Sequence, residues 1–146
     1  MTDTNSMDIT VAGSEFIPHA PTRLLDTGDG TGAAGAQAVA PNGATRVKVG
    51  GSSGIPAGVT AVALNLTVTN AATDGHISAY PSGTERPNAS NVNFVAGQTV
   101  PNLVIVPVGA DGYVELANRS RGTVGLIADV TGYFTRSAAS GSPRWT

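Results

Sequence analysis

Residues 61–69 read AVALNLTVT, and their alternation decides the fold class. Successive side chains on a strand point to opposite faces. Val62, Leu64, Leu66 and Val68 therefore share one face, and Ala61, Ala63, Asn65, Thr67 and Thr69 the other. Further strand-like runs follow on either side: TRVKV (45–49), HISAY (76–80), NVNFV (91–95), NLVIVPV (102–108), YVELA (113–117) and TVGLIADVTGYF (123–134). Short apolar runs between Gly, Pro, Asn and Asp turn signals predict an all-β sandwich, of jelly-roll or Ig-like topology. NLVIVPV is apolar on both faces, which predicts a central, covered strand. Pro101 and Pro107 cannot donate to a ladder, so the ends of this strand are drawn toward an edge. Gly125 and Gly132 inside the last run predict a bulge or bend. AAGAQAVA (33–40) contains Gly35 and is closed by Pro41, so it reads as loop. The organisation predicted is an N-terminal arm (1–15), a β-sandwich domain (16–134) and a C-terminal tail (135–146).

One internal match is visible. NLTVTNAATDGHISAY (65–80) aligns without a gap on NLVIVPVGADGYVELA (102–117), pairing Asn65 with Asn102 and Asp74-Gly75 with Asp111-Gly112. Each copy reads as a β-hairpin whose Asp caps the turn and whose Gly takes a positive φ. Duplication and the common needs of two strand–turn–strand units both account for the match.

Composition excludes several functions. The chain has 146 residues, long enough for one domain with a real core. Charged residues make up 12% and the net charge is −2, so nothing draws the chain to nucleic acid or anionic membrane. Lys48 is the one lysine, and aromatics at 5% are too sparse for a base-stacking platform. With no cysteine, disulfides and thiolate metal sites are excluded. No apolar run approaches the ~20 residues of a membrane span. The opening MTDTNSMDITVAGSEF lacks a basic stretch followed by an apolar one, so no secretory leader is expected.

PTRLLDTGDGTG (21–32) gathers Arg23, Asp26 and Asp29 among glycines in a chain poor in charge. A calcium loop of EF-hand type needs a different carboxylate spacing and a distal Glu. A phosphate-binding P-loop needs a lysine that neither this stretch nor GGSSGIPAG (50–58) supplies. Glycosidase carboxylates come from separate elements across a sugar. The reading that remains is structural: Arg23 pairs with Asp26, or Asp26 caps a turn, and the glycines carry a loop. His19 and His76 are too few for a zinc site, and no G-x-S-x-G is present. No metal, cofactor or catalytic residue is expected. Asn65, Asn91, Asn93 and Asn102 lie in or beside strands, where Asn is depleted. They read either as a sugar-binding face or as struts bonding to backbone.

FIPHAPTRLLDTGDG (16–30), VKVGGSSGIPAGVTAVALNLTVTNA (47–71), the run from Gly75 to Leu116 and IADVTGYF (127–134) resemble a β-rich accessory module. That module is common in actinobacterial extracellular proteins and in phages of those hosts. Its first phrase usually continues R-L-L-D-T-R, where this chain has Gly28. The resemblance implies adhesion or binding rather than catalysis, and it brings no catalytic residues. A leaderless single domain with short arms is the form expected of a virion component, assembled in the host cytoplasm. The expected function is a capsid decoration protein at the virion surface. It would bind the major capsid protein or another virion protein as a symmetric homo-oligomer such as a trimer. Phe16, Arg144 and Trp145 are the expected anchors, because Trp and Arg are favoured at interface hot spots. Trp145 packed back on its own domain is the other reading of that residue. The alternative function is an extracellular carbohydrate- or cell-wall-binding module with Tyr80, Asn91 and Tyr113 as sugar contacts.

Overall fold

The computed structural model describes residues 14–136, and among these no helix forms. Eight strands follow one another: β1 (Ser14–Asp26), β2 (Ala44–Lys48), β3 (Ala61–Thr69), β4 (Gly75–Pro81), β5 (Val92–Phe94), β6 (Val100–Pro107), β7 (Tyr113–Ser120) and β8 (Gly125–Arg136). Each expected strand is present. β1 begins and β8 ends two residues outside the expected domain limits of 16 and 134.

The pairings β1·β8, β2·β7, β3·β6 and β4·β5 are all antiparallel, as in one long hairpin with its tip between β4 and β5. Winding this hairpin on itself adds β3·β8 and β4·β7. Two four-stranded sheets result, ordered β1-β8-β3-β6 and β2-β7-β4-β5. Of the two sandwich topologies expected, this is the jelly roll.

Burial explains the winding. Val62, Leu64, Leu66 and Val68 of β3 have no exposed surface, and neither do Leu126, Ala128 and Val130 of the neighbouring β8. Opposite them the second sheet contributes Val47, Ile77, Val114 and Leu116, equally buried. Each such aliphatic side chain adds roughly 1.5–3 kcal/mol on leaving water. The gain is available only when the two inner faces meet.

That requirement corrects the expected hairpins. β3 and β4 lie in different sheets, as do β6 and β7, so residues 70–74 and 108–112 carry the chain across the sandwich. A tight two-residue turn would have kept both strands in one sheet and left one of their apolar faces uncovered. The two crossings are nonetheless counterparts, since β3 pairs with β6 and β4 with β7. Their Asp-Gly steps differ. Gly112 has φ +87°, and Asp111 accepts the Tyr113 N–H at 3.0 Å. Gly75 has no positive φ; a Cβ there would collide with Ser120. Asp74 instead accepts the N–H of Ala96 at 2.8 Å.

A second correction concerns NLVIVPV. β6 is an edge strand of the first sheet, bonded to β3 alone. Val104 and Val106 face the core, while Leu103 and Ile105 are 58% and 60% exposed. Apolar residues on both faces therefore do not mean that both faces are covered here. The expected bulge lies in β8, where the register against β3 slips between Ala63 and Leu64 and leaves Thr131 as the extra residue.

One buried polar group went unread in the sequence. Asn118 of β7 is fully buried and donates through Nδ2 to the carbonyls of Ala40 at 3.0 Å and Gly122 at 2.8 Å. Its Oδ1 accepts the Ser120 hydroxyl at 2.7 Å. Together they tie the 33–43 loop to the β7–β8 turn. Asn118→Ala is expected to strand these carbonyls and cost about 3 kcal/mol. In a thermal melt this appears as a Tm lower by about 10 °C. Asn65→Ala, exposed on an outer face, is the control, expected to cost less than about 0.5 kcal/mol.

Candidate functional site

Arg23 sits on β1 opposite Asp129 of β8. Its Nε donates to Asp129 Oδ1 at 3.0 Å, and its Nη1 to Asp26 Oδ2 at 3.1 Å. One guanidinium thus joins two carboxylates, and the sequence-predicted partner Asp26 is one of them. The ion pairs raise the Arg23 pKa above its ordinary value, the hydrogen bond to Asp129 being the largest cause. The loop that follows closes on itself. Asp26 Oδ1 accepts the Gly28 N–H, Asp29 Oδ1 accepts the Thr31 N–H, and the Asp26 N–H donates to the Thr31 carbonyl. Thr27 anchors the loop to β8 by exchanging bonds with Leu126 through its backbone and its hydroxyl. Gly32 has φ +70°, and a Cβ there would run into the Leu24 carbonyl. No carboxylate oxygen in this stretch converges with others on a common point. Among the described residues, no group of three or more His, Asp and Glu is placed to hold a metal.

The two outer faces of the sandwich differ in chemistry. On the second sheet the outer positions are charged or polar: Arg46 and Lys48 of β2, Glu115 of β7, Tyr80 of β4 and Tyr113 of β7. The Arg46 guanidinium lies 4.1 Å from the centre of the Tyr113 ring. It reaches Asp111 Oδ2 at 2.7 Å, Glu115 Oε2 at 3.3 Å and the Ser82 hydroxyl at 3.2 Å. The backbone N–H of Tyr113, and after it the Ser82 hydroxyl, holds the Asp111 carboxyl below its ordinary pKa. Tyr80 is the register partner of Glu115, so two of the three proposed sugar contacts meet on this face. Asn91 does not join them. Its Oδ1 accepts the Ala79 N–H at 2.7 Å, and its carbonyl accepts from Asn102 Nδ2 at 2.7 Å. Both asparagines are struts.

The first sheet's outer face carries the Arg23–Asp129 pair and Asn65 across its middle and is apolar beyond them. β3 and β6 carry no charged residue; on this side Leu103 and Ile105 of β6 are exposed, Ala61 is half-buried, Ala63 is buried and Asn65 is exposed. Next to them Phe16 of β1 stacks on Phe134 of β8, ring centres 5.0 Å apart, and lies over Gly132. Phe16 is 47% exposed. Ser14 and Arg136 are register partners, so the first and last described residues lie side by side at this corner. Arg144 and Trp145, the other expected anchors, lie outside the described residues. The sequence held a signal for this face: Pro101 and Pro107 bracket Leu103 and Ile105, and prolines so placed mark an edge.

A cleft of about 270 Å³ separates the 33–40 loop from the start of β2, lined by Ala33, Ala38, Val39, Ala40 and Thr45 among others. None of its lining residues titrates, so it offers neither an acid–base group nor a charge.

Arg23→Ala is expected to lower the Tm with the native strand content retained in circular dichroism, and Gly32→Ala to lower it further. Asp29 is held below its ordinary pKa by hydrogen bonds from Thr31, as Asp111 is by Tyr113. A depressed carboxyl stabilises the fold above its unfolded pKa, and the contribution is lost as pH falls through the folded one. The urea midpoint should therefore be level from pH 8 to 5 and fall below about pH 4.

Comparison with protein-family models and with curated proteins finds no match to this chain.

Proposed function

We propose that this chain is a non-enzymatic structural protein of an actinobacterial phage virion, a decoration protein that binds the assembled shell from outside. The observation that carries the reading is the set of exposed apolar side chains on the first sheet, Phe16, Leu103 and Ile105. Exposed apolar patches on sandwich faces are places for partners rather than for water. Phe16 lies on this face beside the paired residues Ser14 and Arg136, and is 47% exposed. Stabilisation of the shell would be mechanical, each copy burying its apolar surface against major capsid protein or another virion protein. Jelly rolls serve viral capsid and lectin domains alike, so the fold itself favours neither reading.

The second reading, a cell-wall- or carbohydrate-binding module, is favoured by a different observation. Arg46, Asp111, Glu115 and Ser82 gather hydroxyl-binding groups around Tyr113, with Tyr80 nearby.

Cosedimentation of purified protein with empty capsids of an actinobacterial phage tests the first reading. Saturable binding at a fixed ratio to capsid subunits is expected, weakened at least tenfold by Phe16→Ala, with no retention on host peptidoglycan or polysaccharide. Retention on cell walls that is lost in Tyr80→Ala or Tyr113→Ala, with no binding to shells, overturns it in favour of the second.

A further inference from the structure

We infer that the free edge of β2 is a docking site for an extended strand, and that the strand is residues 8–12 of a second copy of this chain. Such docking joins copies to one another and is independent of whether they bind a capsid shell.

β2 differs from the other edges. The two sheets end in β1 and β6, and in β2 and β5. β1 contains Pro18 and Pro21, β6 contains Pro101 and Pro107, and β5 has three residues. Prolines and short length block strand addition. β2, ATRVK, has no proline. Gly43 accepts the Asn118 N–H at 2.8 Å, and Val49 donates to the Gly112 carbonyl at 2.8 Å, so the odd-numbered residues bond to β7. The N–H and C=O groups of Ala44 and Arg46 therefore point the other way, where no strand of the sheet follows. Ala44 and Thr45 also line the cleft of about 270 Å³ under the 33–40 loop. Thr27, just past β1, lines it and β7 does not, so it opens on the free side of β2. Val47 and Thr45 turn toward the first sheet, and Arg46 and Lys48 turn outward. Arg46 is held by Asp111 and Glu115, whereas the exposed Lys48 makes no ion pair among the described residues.

An unpaired backbone edge, an uncharged cleft and a free ammonium group set three demands on what docks. It is an extended strand, it turns an apolar side chain into the cleft opposite Thr45, and it carries an acid opposite Lys48. Residues 8–12, outside the described part of the chain, read Asp-Ile-Thr-Val-Ala and meet all three. Laid antiparallel on β2, this segment sets Asp8 against Lys48, Thr10 against Arg46 and Ala12 against Ala44. Thr10 and Ala12 then exchange both main-chain bonds with their partners. Ile9 and Val11 alternate to the other side, and Val11, opposite Thr45, enters the cleft. The parallel direction sets Asp8 against Ala44 and leaves Lys48 facing Ala12, so charge selects the antiparallel one. The donor has to be a second copy. Antiparallel docking brings Ala12 to Ala44, at the end of the sandwich where Thr27 follows β1. Ser14, two residues on from Ala12, pairs with Arg136 at the opposite end of β1. The 13 residues of β1 separate those ends by roughly 40 Å, and two residues span at most ~7 Å. Each copy gives one segment and receives one, so the assembly closes on itself.

Sedimentation velocity of the full chain tests this with two variants, Asp8→Lys and Lys48→Glu, run alone and mixed. The first sets two cations together at each docked strand, and the second two anions. The wild type is expected to shift reversibly from monomer to a closed oligomer as its concentration rises. Each variant alone should keep its circular dichroism spectrum and need about tenfold more protein to associate, because like charges set together at an interface suppress binding. Mixed in equal amounts the two variants should associate as the wild type does, since the segment of each then meets an edge of opposite charge on the other. Amide exchange at Ala44 and Arg46 should slow about tenfold on association. A wild type monomeric throughout overturns the inference. So does a mixture no better than its components, or an oligomer in which exchange at Ala44 and Arg46 is unchanged. Neither variant alters Phe16, so capsid cosedimentation is scored separately, and failure of either reading leaves the other standing.

Discussion

The structure depends on β8 having a partner along each edge. Over twelve residues it pairs with β1 on one side and β3 on the other, and it turns Leu126, Ala128 and Val130 into the core. It is the last strand, and it joins the first strand to the third. The wound hairpin cannot close until β8 has been laid between them. Contacts of such long sequence separation form slowly, because loop closure must be achieved before packing rewards it. The connections to β8 are correspondingly dense at the β1 end. Thr27 exchanges two hydrogen bonds with Leu126, and Arg23 binds Asp129. The phrase RLLDTG is best understood as the clasp that fixes β1 against the final strand.

This explains which parts of the fold were legible in sequence. Alternation and apolar runs between turn signals located β2 to β8 but not the length of β1, since period-two burial is a property of single residues and their neighbours. Partnership was not legible. The match between 65–80 and 102–117 is real in residues and points to equivalent places in the topology. Hairpin and sheet-to-sheet crossing, however, both need a turn containing Asp and Gly. What separates them is whether the two apolar faces lie in one plane or face each other across the core. No local pattern records that. Asn118 shows the same limit. Its neighbours give no hint that it will be buried, and its carbonyl partners at 40 and 122 are set by tertiary structure alone.

Leu103 and Ile105 show how an inference from composition fails in an informative way. A strand apolar on both faces is usually buried on both, and within this chain it is not. The prolines at 101 and 107 were the better guide, because a missing N–H is a covalent fact while burial depends on what else is present. When the two signals conflict, the edge assignment prevails and the apolar residues stand exposed.

The candidate site was legible to a different degree on each face. Tyr80 and Tyr113 were singled out as aromatic residues on strands, and they do share a face with the Arg46 cluster. Arg46 itself carried no local signal, since its carboxylate partners stand at 111 and 115, far along the chain. That cluster is internally satisfied: one guanidinium is held by two carboxylates and a ring, and a ligand would have to replace bonds already made. The apolar face has no such bonds to give up. Water there gains little from Leu103, Ile105 and Phe16, and any partner of matching shape gains by displacing it. Between a polar surface that is already paired and an apolar one that is not, association is driven at the second. That difference between the two surfaces is the reason for proposing a shell-binding protein before a sugar-binding one.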